Sequence, residues 1–93
     1  MPHDLPDEIS EALVRLKRLR LRAWRRGMRE TDLLLGGFAD AELGRLSSDE
    51  LDAFESLLLE NDQDLYLWIS RNCGQPSRFD GIVGRIAAFH GTG

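Results

Sequence analysis

Apolar residues recur at intervals of three and four along most of the chain. From about Glu8, positions Ile9, Ala12, Leu13, Leu16, Leu19 and Ala23 follow a helical period. Val14, Leu21, Trp24 and Met28 add a second, rougher stripe. A helix apolar on two sides is expected to meet neighbours on both. Gly27 suits its end, because glycine takes a left-handed cap without steric cost. A second helix is predicted from about residues 29–31, carrying Leu33, Leu34, Leu35, Phe38 and Leu43. Gly36 and Gly37 interrupt it, each costing about 1 kcal/mol relative to alanine, so a bend or split is expected there.

Ser47 and Glu50 stand at capping-box spacing and open a third helix whose buried face is Leu51, Phe54, Leu57 and Leu58. The polar break Asn61, Asp62, Gln63, Asp64 supplies a cap for a fourth helix, with Leu65, Trp68 and Ile69 inward. Cys73-Gly74-Gln75-Pro76 stops that helix. Ser77 is placed to cap a fifth, with Ile82, Val83, Ile86 and Phe89 on one side. Alternation of period two is nowhere sustained. The predicted fold is all-α, a compact antiparallel bundle of about five short helices. Residues 8–90 form the bundle, 1–7 a flexible lead-in and 91–93 a tail.

Ninety-three residues, 42% of them apolar, build one domain with a thin core and little room for a deep substrate pocket. Net charge is −4, but its distribution says more. Arg15, Lys17, Arg18, Arg20, Arg22, Arg25, Arg26 and Arg29 follow one another with no acid between them. From Glu30 to Asp64 the only base is Arg45. Such an electrically two-faced molecule docks to a complementary surface faster and in a fixed orientation. No apolar run approaches the ~18 residues of a membrane span. Asp4, Asp7, Glu8 and Glu11 argue against an organelle transit peptide. One cysteine permits no internal disulfide, and a reducing cytoplasm is the expected location.

Catalytic chemistry is hard to find. His3 and His90 have no ligand at metal-binding spacing, so no metal is expected. Cys73 has no His–Asp arrangement to activate it and reads as a small packing residue. Gly36-Gly37 follows no strand and is not a phosphate loop. The expectation is a protein without its own catalytic site and without a tightly bound cofactor.

The stretch Arg25-Arg26-Gly27-Met28-Arg29-Glu30-Thr31-Asp32 is denser in chemistry than a turn requires. One reading makes Gly27 a cap and lets Glu30 and Asp32 favour the next helix dipole. The other makes it a contact patch. Glycine admits close backbone approach, Arg26 and Arg29 can fork onto carboxylates, and Met28 adds an adaptable apolar contact.

Arg26-Gly27-Met28-Arg29-Glu30 matches the Arg-Gly-x-x-Glu signature of the succinate dehydrogenase assembly factor (flavinator) family, SdhE-like in its bacterial members. Asn61-Asp62-Gln63-Asp64-Leu65-Tyr66-Leu67-Trp68 resembles that family's acidic turn and following aromatic helix, and the resemblance runs from about Leu16 to Phe89. It implies a five-helix protein that binds the flavoprotein subunit of succinate dehydrogenase and promotes covalent attachment of FAD to a histidine of that client. Fumarate reductase flavoprotein is a second candidate client. The free factor is expected to be a monomer. The implied partner-binding residues are Arg26, Gly27 and Glu30, flanked by Arg25, Met28, Arg29 and Asp32. Glu30 either pairs with Arg26 one turn away or reaches into the client. Trp68 is assigned to the core.

The alternative from another class is nucleic-acid binding by the basic first helix. A sequence pI of about 5.1 and the lack of a helix-turn-helix pattern count against it. A third reading lays that helix on an anionic membrane surface, without insertion.

Overall fold

The computed structural model describes residues 7–91, and side chains from Glu11 onward. Five α-helices follow in order: α1 Asp7–Trp24, α2 Arg29–Glu42, α3 Ser48–Leu57, α4 Asp62–Arg71 and α5 Asp80–Phe89. Short 3₁₀ turns at Leu43–Arg45 and Ser77–Phe79 complete the chain. No strand occurs among the described residues, so the all-α bundle is as predicted. The lead-in at 1–6 and residues 92–93 lie outside the described residues, as does His3.

Every helix contributes to one core. Leu19 and Ala23 of α1 meet Leu35, Phe38 and Ala39 of α2, and Phe54, Leu65, Ile69, Phe79, Val83 and Ile86 close around them. Phe38 and Phe54 pack with ring centroids 5.8 Å apart. Trp68 packs against this cluster and lies 6.1 Å from Phe79, consistent with its assignment to the core. The capping box at α3 forms as read: Glu50 N–H donates to Ser47 Oγ at 3.2 Å and Ser47 N–H to Glu50 Oε1 at 2.8 Å. Asn61 caps α4 by accepting the Asp64 N–H at 2.9 Å.

Other details depart from the periodicity. α2 runs unbroken through Gly36 and Gly37. The reason lies on another helix. A Cβ on Gly36 would fall inside the van der Waals envelope of the Trp24 indole, so the glycine opens a slot for that ring and is no breaker. Trp24 Nε1–H also donates to Asp40 at 3.1 Å, tying the end of α1 to α2. α5 starts at Asp80 and has no side-chain cap, because Ser77 is spent in the preceding 3₁₀ turn. α4 ends at Asn72, which takes the left-handed conformation (φ 52°) before Cys73 is reached, and Cys73 is exposed instead of packed. The second stripe of α1 is not covered either, with Val14 48% and Leu21 45% exposed, and Leu13 of the first stripe is 53% exposed. Phe89 is also partly exposed, edge-on to Phe38 at 5.7 Å.

Candidate functional site

The link from α1 to α2 is built in two layers. Its inner layer is Arg26, whose side chain is only 11% exposed. Nε–H donates to Asp62 Oδ1 at 2.6 Å, and the two terminal nitrogens donate to the carbonyls of Leu58 and Glu60. These acceptors belong to the α3–α4 turn, where the carbonyls ending α3 have no helical N–H to take up. One guanidinium therefore locks the first link to the third. The fork that the sequence offered to a partner is occupied inside the fold, and no ion pair joins Arg26 to Glu30. Arg26 is a positioning residue for the corner.

The backbone is pinned from the other side. Asp32 Oδ1 accepts the Arg26 N–H at 2.9 Å. Thr31 is fully buried and donates its hydroxyl to the Met28 carbonyl at 2.9 Å, which also accepts the Asp32 N–H at 2.9 Å. Met28 is the N-cap of α2 with extended backbone and no side-chain cap. Thr31 was not singled out in the sequence; burial of a hydroxyl beside a carbonyl is the kind of detail that periodicity does not carry.

The outer layer is what this frame presents. Gly27 is exposed with φ at 110°, and a Cβ there would meet nothing within 4 Å. The space around it is open, while the backbone angle disfavours any side chain. Arg25, Arg29 and Glu30 are exposed and join no ion pair or side-chain hydrogen bond among the described residues. Met28 is half-buried. A shallow recess lined by Leu21, Arg22, Arg25 and Arg26 adjoins the corner. The arrangement can grip an acidic or hydrogen-bonding surface through two free guanidiniums, a free carboxylate and bare backbone. Of the seven sequence-derived residues, Arg25, Gly27, Arg29 and Glu30 face outward. Arg26 and Asp32 hold the turn, and Met28 does some of each.

The remaining bases near this face are split the same way. Arg15 pairs with Asp52 and Glu55, both at 2.7 Å, and Arg22 lies 3.7 Å from Glu55. Hydrogen bonds donated to Asp52 and Glu55 push the Arg15 pKa above its ordinary value. No group of three or more His, Cys, Asp and Glu side chains placed to hold a metal occurs among the described residues. No helix there is long and apolar enough to cross a membrane.

Comparison with known proteins gives the geometry a context. Residues 17–90 match the family described as flavinator of succinate dehydrogenase. "Succinate dehydrogenase assembly factor 2, mitochondrial" of Dictyostelium discoideum is 34% identical over 84 residues, covering 90% of this chain and 60% of that protein. The Candida glabrata protein of the same name is 47% identical over 58 residues, 60% of this chain and 38% of the relative. The one from Mycosarcoma maydis is 40% identical over 79 residues, 84% of this chain and 33% of the relative. The chain thus spans less than two thirds of the length of these relatives, which their names assign to mitochondria. No solved structure matches.

Proposed function

The chain belongs to the succinate dehydrogenase flavinator family, and we propose that it binds the flavoprotein subunit of succinate dehydrogenase and promotes covalent attachment of FAD to it. The observation that carries this reading is the outward corner at Gly27. A bare, left-handed glycine sits in open space between free guanidiniums and a free carboxylate, all on a backbone clamped from beneath. Such a surface suits a folded client. The factor's contribution is positional. Holding the client so that the flavin and the acceptor histidine stay within reacting distance lowers the entropic part of the barrier. The flavin then belongs to the client, and the factor itself binds none tightly. A fumarate reductase flavoprotein presenting the same surface is the second client.

Gly27→Arg tests the reading. The open space tolerates the side chain, so the helical circular dichroism should persist. Co-expression with the flavoprotein subunit should then give no pull-down, and covalent flavin fluorescence on a denaturing gel should fall to the level without factor. Undiminished pull-down and flavin would refute the assignment. Loss of helicity along with binding would reduce Gly27 to a structural glycine.

Nucleic-acid binding is the lesser reading. Arg26 is paired inside the fold, and Arg15 and Arg22 are partly neutralised by Asp52 and Glu55 at the surface, which weakens three of the cations on which it depended.

A further inference from the structure

The outward face of α1 meets the corner just described only at its C-terminal end, and its cations sort by direction. Arg15 and Arg22 turn toward α3 and engage Asp52 and Glu55. Arg18 lies about 60° further round the helix than Arg15, at 100° per residue, and Arg25 follows one residue past the end of α1. Both are exposed and unpaired among the described residues. Val14 and Leu21, each close to half-exposed, stand on the same line. Glu11, Val14, Arg15 and Arg18 surround one shallow recess, and Leu21, Arg22, Arg25 and Arg26 surround the next. The first set has the i, i+3, i+4, i+7 spacing of the hole that receives a knob when helices pair. Arg18, Leu21 and Arg22 repeat the first three of those positions one heptad on, about 10.5 Å along the axis, and Arg25, just past the helix end, borders the same recess as Leu21 and Arg22.

We propose that this face of α1 is a docking seam for an acidic amphipathic helix of a protein partner. One aliphatic knob enters the hole beside Val14, a second, seven residues on, covers Leu21 near the end of α1, and flanking Glu or Asp side chains meet Arg18 and Arg25. Charge selects this occupant. Among the described residues, Glu11, toward the N-terminal end, is the only carboxylate lining either recess. The same bases set α1 of a second copy against itself, since like charges beside a helix seam repel. A bilayer fits less well, because an interfacial helix turns its main apolar face to the lipid. Here Leu19 and Ala23 are committed to the core, and Arg18 separates the two outward aliphatics. The seam runs into the corner at Arg25 and Arg26, yet it needs no assumption about what the corner grips.

The test uses the full chain and a fluorescent synthetic peptide of roughly three heptads, with Leu at the knob positions and Glu at the flanks. Its control is a scramble of identical composition. The heptad peptide should bind at low salt and turn helical, and the scramble should bind about tenfold more weakly. Leu21→Ser and Val14→Ser, which leave the charge unchanged, should each weaken binding about tenfold with unaltered far-ultraviolet circular dichroism. Arg18→Gln should weaken binding and flatten its salt dependence. Equal affinity for the scramble overturns the seam, as does Leu21→Ser binding like the wild type. Leu21-dependent sedimentation with anionic phospholipid vesicles, stronger than peptide binding, overturns it in favour of a membrane. A dimer dispersed by Leu21→Ser overturns it in favour of a second copy.

Discussion

Arg26 and Arg29 stand three residues apart in one motif, yet their surroundings have little in common. The first reaches inward to Asp62 and to two carbonyls of the α3–α4 turn; the second lies outside with no partner among the described residues. The corner thus divides into an inner layer that sets shape and an outer layer that is free to touch. The two layers should respond to mutation in opposite ways, stability against binding, and that contrast can be broken experimentally.

The largest expected effect belongs to Arg26→Ala. It leaves Asp62 and two carbonyls without their donor, at a cost of about 2–3 kcal/mol for a nearly buried pair. Thermal unfolding should move down by on the order of 15 °C for a domain of this size. A midpoint within a few degrees of wild type would return Arg26 to the outer layer. Gly36→Ala comes next, because alanine's helix propensity offsets part of the clash with Trp24. A net loss of about 1–2 kcal/mol by urea denaturation is expected, and a stabilised variant would show that the indole moves aside freely. Gly27→Ala should cost about 1 kcal/mol through its backbone angle alone, with no steric contribution.

Arg29→Ala and Glu30→Ala should change stability by less than about 0.5 kcal/mol and still lower the covalent flavin content of a co-expressed client. Normal client flavin would remove both residues from the outer layer. The smallest effect is one of pH at the start of α3. The Ser47 N–H, then Arg85, hold the Glu50 carboxyl below its ordinary value of 4.5. Its pKa is lower folded than unfolded. The capping box therefore supports the fold above the ordinary value, and that support fades as pH falls through the lowered one. Glu50→Gln should flatten this acid limb slightly in a pH series of melting points, while leaving the corner untouched.

What could be read in advance follows the reach of each interaction. The box between Ser47 and Glu50 was visible because both partners lie within one turn, and so was the Asn61 cap. The clamp was not, because Asp62 is 36 residues from Arg26 and the other acceptors are backbone atoms, which no residue type announces. Gly36 looked like a helix breaker because its reason for being glycine, Trp24, sits on a neighbouring helix. The corner's location was legible from its motif, while the division of its arginines was not. Apolar period also failed to separate Leu19, which is buried, from Leu21, which is not: both fit a helical repeat, and only the packing of the other helices decides which side is covered.

The ring in the Gly36 slot gives the molecule a dye of its own. Trp24 is 37% exposed, hydrogen-bonded to Asp40 and three residues before Gly27, whereas the other indole, Trp68, belongs to α4 and rests on Phe79. Emission from Trp24, isolated by replacing Trp68 with phenylalanine, would shift toward the blue when a visitor dries that end of α1. Arrival and departure could then be timed without attaching a label.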